Sequence, residues 1–212
     1  MVKTRRALKS FAIQGGGNVL LTWMQRTDPY VTIFGANGNL YSSFSDAENR
    51  PGSWSPPELV SNPDNAAQAS SDGPYWQESL VVDPATGHFL ATWTDDDDPS
   101  SAFFPQVFSR TFHVGTNQWL PILRVSDGSK RAYWPMISLD PSTGLTQVTF
   151  LEPEPGKEIL VSAELHHLLA PSWTSKRTVG TKEVTVGHGI FRHSSAIFPF
   201  RGLSSSVAIL LR

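Results

Sequence analysis

Carboxylates are the side chains of this sequence best suited to do chemistry. Four adjacent aspartates, Asp95, Asp96, Asp97 and Asp98, form its densest acidic run, and Asp28, Glu78, Glu152 and Glu154 add single carboxylates. Two carboxylates about 5 to 9.5 Å apart hydrolyse glycosidic bonds. Clustered ones hold calcium, which takes several oxygen ligands. The aspartate run lacks the spaced Asp/Asn and glycine of an EF-hand loop, and a solvated, self-repelling stretch is its ordinary state. Calcium is therefore the one candidate cofactor, and no other is expected. Two aromatic pairs, Tyr75-Trp76 and Tyr133-Trp134, offer apolar area with a polar handle, as stacking on a sugar requires. Strand alternation sends neighbours to opposite faces, so at most one ring of each pair should meet a ligand. Arg131 places a planar cation two residues ahead of the second pair. The candidate ligand-binding set is therefore Tyr75, Trp76, Glu78, Asp95, Asp97, Arg131, Tyr133 and Trp134, with no catalytic residue assigned.

Other chemistries find no support. His166-His167 are adjacent and His188 and His193 lie five apart, neither arrangement giving the three or four converging ligands of a zinc site. There is no Cys, hence no thiolate ligand or disulfide. No G-x-S-x-G, H-E-x-x-H or phosphate loop occurs. Gly15-Gly16-Gly17 precedes a strand pattern, not the helix start that phosphate binding uses. A formal net charge of -2 leaves no footprint for nucleic acid, and no apolar run reaches the roughly 18 to 20 residues of a membrane helix. MVKTRRALKS at the start is basic but lacks the apolar region of a signal peptide, so no cleavable signal is expected.

The elements that must position these residues repeat. Asp83-Pro84-x-Thr86-Gly87 recurs as Asp140-Pro141-x-Thr143-Gly144, and Tyr75-Trp76 recurs as Tyr133-Trp134. Trp93 and Phe150 close matching apolar runs, while Trp54, Trp119 and Trp173 each precede a Val by six residues. Asp-Pro initiates a turn and Gly supplies positive φ, so each pentapeptide should join two strands of a hairpin. Gln106 to Val114 follows the two-residue period of a strand. No sustained helical pattern is present; the best local helix candidate, 164–169, falls where the repeat requires a strand end.

Four strands per unit of about 55 to 70 residues predict an all-β fold, a β-propeller of four-stranded antiparallel blades. Blade one should run over 11–62, blade two over 75–127 and blade three over 133–181, with 196–211 giving two strands of a fourth. Gly15 to Gly17 is the blade-one counterpart of the Asp-Pro turn. Three and a half blades leave the propeller incomplete or open: a fragment of a longer one, a chain that pairs with another copy, or one whose two ends complete a four-bladed unit.

The frame of strand, DPxTG, strand ending in Trp, strand, GxW and VS resembles the bacterial sialidase-like, or BNR-repeat, propeller superfamily. Ser45-Asp46 with Gly52-Ser53-Trp54 is similar to a stretched form of its Asp box; Gly115, Asn117 and Trp119 keep part of it in blade two, and Ser172-Trp173 in blade three. The Arg-Ile-Pro signature of sialidases has no match, the nearest string being Phe200-Arg201-Gly202, and nothing in the sequence converges Arg131, Arg192 and Arg201 into an Arg clamp. The resemblance implies an extracellular or periplasmic protein. The reading is a non-catalytic module that binds carbohydrate or another extracellular polymer. The alternatives are a glycoside hydrolase of the same fold, using Glu78, Asp95 and Asp97, and a structural propeller that binds protein or associates with itself through the unfinished blade.

Overall fold

The computed structural model describes residues 6–26, 38–47, 53–61, 79–96, 104–170, 172–183, 192–198 and 205–211. Among them lie fifteen strands and one 3-10 turn, Val114–Thr116. Blade one holds β1 (Arg6–Ile13), β2 (Val19–Arg26), β3 (Gly38–Ser45) and β4 (Glu58–Leu59), hydrogen-bonded in that order. Blade two holds β5 (Ser79–Val82), β6 (Phe89–Asp96), β7 (Pro105–His113) and β8 (Gln118–Trp119), with β9 (Leu123–Arg124) also paired to β7. Blade three holds β10 (Tyr133–Leu139), β11 (Thr146–Glu154), β12 (Lys157–Leu165) and β13 (Arg177–Glu183). β14 (Arg192–Phe198) and β15 (Ser205–Leu211) form a two-stranded sheet. All pairings are antiparallel. The helix candidate at 164–169 is instead the end of β12 and the turn after it.

The first strands of successive sheets meet, β1 with β5, β5 with β10 and β10 with β14. This is the arrangement of propeller blades around an axis, and among the described residues the sheets do not close into a ring. Each blade has one face toward the blade before it and one toward the blade after it, here called leading and trailing. Period-two alternation makes both faces apolar in the middle blade. The trailing face of blade one (Ala12, Leu20, Leu40, Phe44, Val60) packs on the leading face of blade two (Phe89, Ala91, Trp93, Phe112, Trp119). Leu90, Val107 and Val125 of blade two's trailing face pack on Ile137, Val148, Phe150, Val161 and Ala163 of blade three. Phe89, Phe112 and Phe150 are fully buried in these wedges.

Polar bonds repeat across the wedges. The Trp119 indole donates to Ser42 Oγ of blade one at 2.9 Å, and the Trp173 indole donates to Ser109 Oγ of blade two at 2.8 Å. Ser42 and Ser109 hold equivalent places, opposite Thr22 and Thr92 in their sheets. Arg110 adds bonds from blade two to the Leu59 and Val60 carbonyls of blade one, at 3.0 and 3.2 Å. The Val-Ser pairs closing blades one and two act alike: Ser61 Oγ accepts from Leu40 N at 3.1 Å and Ser126 Oγ from Val107 N at 3.0 Å.

The two Asp-Pro corners have the same construction. Asp83 accepts from Ala85 N and Thr86 Oγ1 at 2.9 and 2.7 Å; Asp140 accepts from Ser142 N and Thr143 Oγ1 at the same distances, and from Ser142 Oγ. Gly87 and Gly144 end the turns at φ 75° and 72°, where a Cβ would be strained. In blade one, Gln14 N donates to Asn18 O and Gly17 N to Gln14 O, so the Gly15–Gly17 turn fills the equivalent corner.

Candidate functional site

The starts of the inner strands and the β6–β7 and β11–β12 connections lie at one end of the blades, opposite the Asp-Pro corners. At this end β10 begins irregularly. Tyr133 pairs with Leu151, and the register then slips before Met136. Trp134 sits in the slip at φ 56°. A bulky side chain at positive φ is a backbone outlier, costing about 1 to 3 kcal/mol, and persists only where its surroundings hold it. Trp134 packs against the buried Leu151 and Leu160 of blade three, as Val179 does. The expected alternation of Tyr133 and Trp134 therefore fails. Their ring centroids are 6.3 Å apart at an interplanar angle of 46°, and both residues stay half-buried. The bulge turns two neighbouring aromatics into one composite surface.

At the same end of blade three, on its side toward blade two, runs a chain of alternating charges. Lys176 bonds Glu152 at 2.6 Å and Asp127 at 2.9 Å. Lys157 bonds Glu154 at 2.8 Å, and Lys130 bonds the same carboxylate. The Glu152 side chain is 2% exposed, buried at the end of the wedge between blades two and three. A buried carboxylate needs such a cation. Hydrogen bonds from Lys130 and then Lys157 hold Glu154 at about 2. Burial works to raise the Asp127 carboxyl, but hydrogen bonds from Ser129 and Lys176 outweigh it and keep it at about 2. Burial likewise works to lower Lys176, and Glu152 and Asp127 outweigh it, so the lysine is raised. Asp127 and Glu154 therefore stay ionised at neutral pH, each matched to an ammonium.

The remaining candidates are dispersed. Asp95 lies inside strand β6, not in a loop; it is buried and accepts the Trp93 indole N–H at 3.3 Å. Arg131 is exposed just ahead of β10. The connection carrying it is fixed by Gln106, fully buried, which donates to the Lys130 carbonyl at 2.8 Å and accepts from Ser126 Oγ at 2.7 Å. Tyr75, Trp76, Glu78 and Asp97 lie outside the described residues, as do Asp28 and Asp98. Among the described residues, no three His, Cys, Asp or Glu side chains gather to hold a metal ion, and no helix is long and apolar enough to cross a membrane. Sequence reasoning placed Glu152 and Glu154 in this region but missed Lys130, Lys157 and Lys176. Lys157 had a signal, since a tight hairpin at Pro155-Gly156 sets it opposite Glu154. Lys130 and Lys176 each reach a carboxylate 24 positions away, which no local pattern reveals.

At the opposite end, the inner strands of blades one to three border an open cleft of about 600 Å³. Ile13, Leu80, Val82, Ile137 and Leu139 line it with Pro84 and Pro141 of the corners, and Ser138 is the one polar lining residue among those described. It offers no hydrogen-bonding array for a polar ligand. Nearby, the His88 and His113 rings meet with centroids 4.3 Å apart, tilted by 33°. Burial, and secondarily His113, lowers the His88 pKa.

No protein-family model matches the chain, and no curated protein matches its sequence. Solved structures do. A Hadza microbial sialidase, Hz136, superposes with a TM-score of 0.54 at 12% identity, over 91% of this chain and 39% of the sialidase. The alpha-L-arabinanase of Penicillium chrysogenum, solved in complex with arabinobiose, superposes with a TM-score of 0.55 at 12% identity. That match covers 96% of this chain and 61% of the arabinanase. The chain thus spans about two-fifths and three-fifths of the two proteins. At this identity the likeness establishes the propeller fold alone.

Proposed function

We propose that this chain is a non-catalytic propeller module that binds carbohydrate, on the end of the blades where Tyr133 and Trp134 sit. The observation that carries the reading is Trp134 held at φ 56° against Tyr133. Backbone strain of this kind gathers at ligand clamps, where packing supports it. The Tyr133 and Trp134 rings supply stacking area, and exposed Arg131, two residues before Tyr133, supplies a hydrogen-bonding cation. The two superposed propellers, a sialidase and an arabinanase holding arabinobiose, point to the same ligand class.

Binding is favoured over glycoside hydrolysis by the state of the carboxylates. A glycosidase needs one carboxylic acid whose pKa is raised so that it can protonate the leaving group. Asp127 and Glu154 are instead depressed to about 2, and Glu152 is closed off by Lys176. An extracellular or periplasmic location belongs to the same proposal, since polymeric glycans are met there.

A glycan array that includes sialosides and arabino-oligosaccharides tests it. Binding is expected, weakened roughly fivefold by Trp134→Ala, since an aromatic contact is worth about 1 kcal/mol. Calcium removal with EDTA should leave it unchanged. An empty array, binding indifferent to Trp134→Ala, or release of reducing sugar from a bound oligosaccharide would each remove the reading.

A further inference from the structure

Asn18, His88 and Leu145 hold one place in the three blades, the residue just ahead of the second strand. Val19 pairs with Ser45, Phe89 with Phe112 and Thr146 with Leu165. This register sets Asn18 across from Asp46, His88 from His113 and Leu145 from His166. The next N–H along the third strand then finds a different acceptor in each blade. Ala47 N donates to Asn18 Oδ1 at 3.0 Å in blade one. Val114 N donates to His88 Nδ1 at 3.4 Å in blade two. Leu145 has no acceptor to offer, and the blade-three connection is tied instead by Thr111 Oγ1 of blade two, which donates to the Leu168 carbonyl at 2.7 Å. An amide oxygen accepts at every ordinary pH, whereas an imidazole nitrogen accepts only while it carries no proton.

The blade-two bond is also the one with most attached to it. His88 is buried, and the ring that meets it, His113, caps the Val114–Thr116 turn by accepting from Thr116 N at 3.1 Å. Val114 packs on the core between blades one and two. The turn leads straight into β8, where the Trp119 indole bonds Ser42 of blade one. Among the described residues, the titratable groups acting on His88 are the His113 ring of β7 and the Asp83 carboxylate of the corner. Burial and His113 oppose a proton on His88 and outweigh Asp83, so the ring is an acceptor at neutral pH.

We infer that His88 is a proton-operated catch on the β7–β8 connection: neutral, it holds the Val114 N–H through Nδ1; protonated, it lets the Val114–Thr116 turn go. Protonation sets two N–H groups against each other where one hydrogen bond stood, and it places a cation in a site nearly closed to water. The release passes along the turn to Trp119 and loosens the junction of blades one and two on acidification. The matching bond in blade one, made by an amide, does not respond.

Amide hydrogen exchange followed by NMR on the full chain, between pH 7.5 and 5.5 and expressed as protection factors, tests the inference. Protection at Val114 should fall roughly fivefold, as for one hydrogen bond lost, with the same midpoint as His88 protonation read from its ring ¹⁵N shifts. Protection at Ala47 should stay level. His88→Asn, which copies blade one, should keep Val114 protected across the range, and His88→Leu, which copies blade three, should leave it low throughout. Level protection at Val114 in the wild-type chain overturns the inference. So does an equal fall at Ala47, or a fall that persists in His88→Asn. If a variant does not fold, the wild-type contrast between Val114 and Ala47, with the shared midpoint, still decides.

Discussion

Trp119 and Trp54 hold the same place in their blades, yet one is sealed beneath a neighbouring sheet and the other faces outward. The difference is made entirely by what stands on the leading side. For Trp119 that is blade one, whose Ser42 accepts the indole N–H. In a stacked repeat, the energetic meaning of a residue comes from the adjacent unit as much as from its own. The two Asp-Pro corners give the opposite case. They sit within their own hairpins, and their bond lengths match almost bond for bond.

The sharpest way to break the comparison is to delete both indoles. Trp119→Ala should cost about 3 to 5 kcal/mol, the range for a large aromatic removed from a core. Trp54→Ala should cost less than about 0.5 kcal/mol at dilutions where the chain is monomeric. Urea unfolding measures both, and equal losses would mean that the leading side does not matter. The corners should behave in the contrary way. Asp83→Ala and Asp140→Ala should lower the urea midpoint by similar amounts, each less than Trp119→Ala; a wide gap between them would show that the corners depend on their neighbours after all.

The smallest effect separates the corners by pH. His88 occupies the place in the blade-two corner that Leu145 fills in blade three, each offering its carbonyl to the N–H of the corner aspartate. The folded His88 pKa lies below its ordinary 6.5, so the unfolded chain takes up the proton first as pH falls. Its stabilising contribution is therefore complete above about 6.5 and is lost on acidification through the window below that value. The backbone N–H of Val114 is aimed at Nδ1 of His88 at 3.4 Å, so that nitrogen must stay unprotonated to accept it. His88→Leu, which copies the blade-three corner, should flatten the fall in urea midpoint between pH 7.5 and 5.5. An unchanged slope would assign the proton elsewhere.

The parts of the fold visible in the sequence are those written in short-range residues. Asp-Pro-x-Thr-Gly specifies a corner through its own side chains, Val-Ser specifies the last bond of a blade, and the alternation in β7 specifies two apolar faces. The candidate site was legible only in outline. Tyr133-Trp134 stood out by type, but the bulge that brings the rings together arises from the pairing of β10 with β11, which no dipeptide encodes. Asp95 read as part of an acidic loop because its neighbours are acidic; the strand continues through it, and its carboxylate turns to the Trp93 indole. Lys130 reaches Glu154 from the segment that links blades two and three, and Lys176 reaches Glu152 from the stretch before β13, each across 24 positions of sequence.

The trailing and leading sides of blade two are both occupied, while among the described residues blade one is covered on its trailing side only. Backbone amides should therefore exchange with solvent at graded rates, slowest in β6 and β7 and fastest in β1 and β2. Cooperative opening would begin in the sheet with a single neighbour and travel inward. Whatever covers Phe11 and Ile13 would then act as a clamp on the whole stack, its grip felt furthest away as slower exchange at the middle of the molecule.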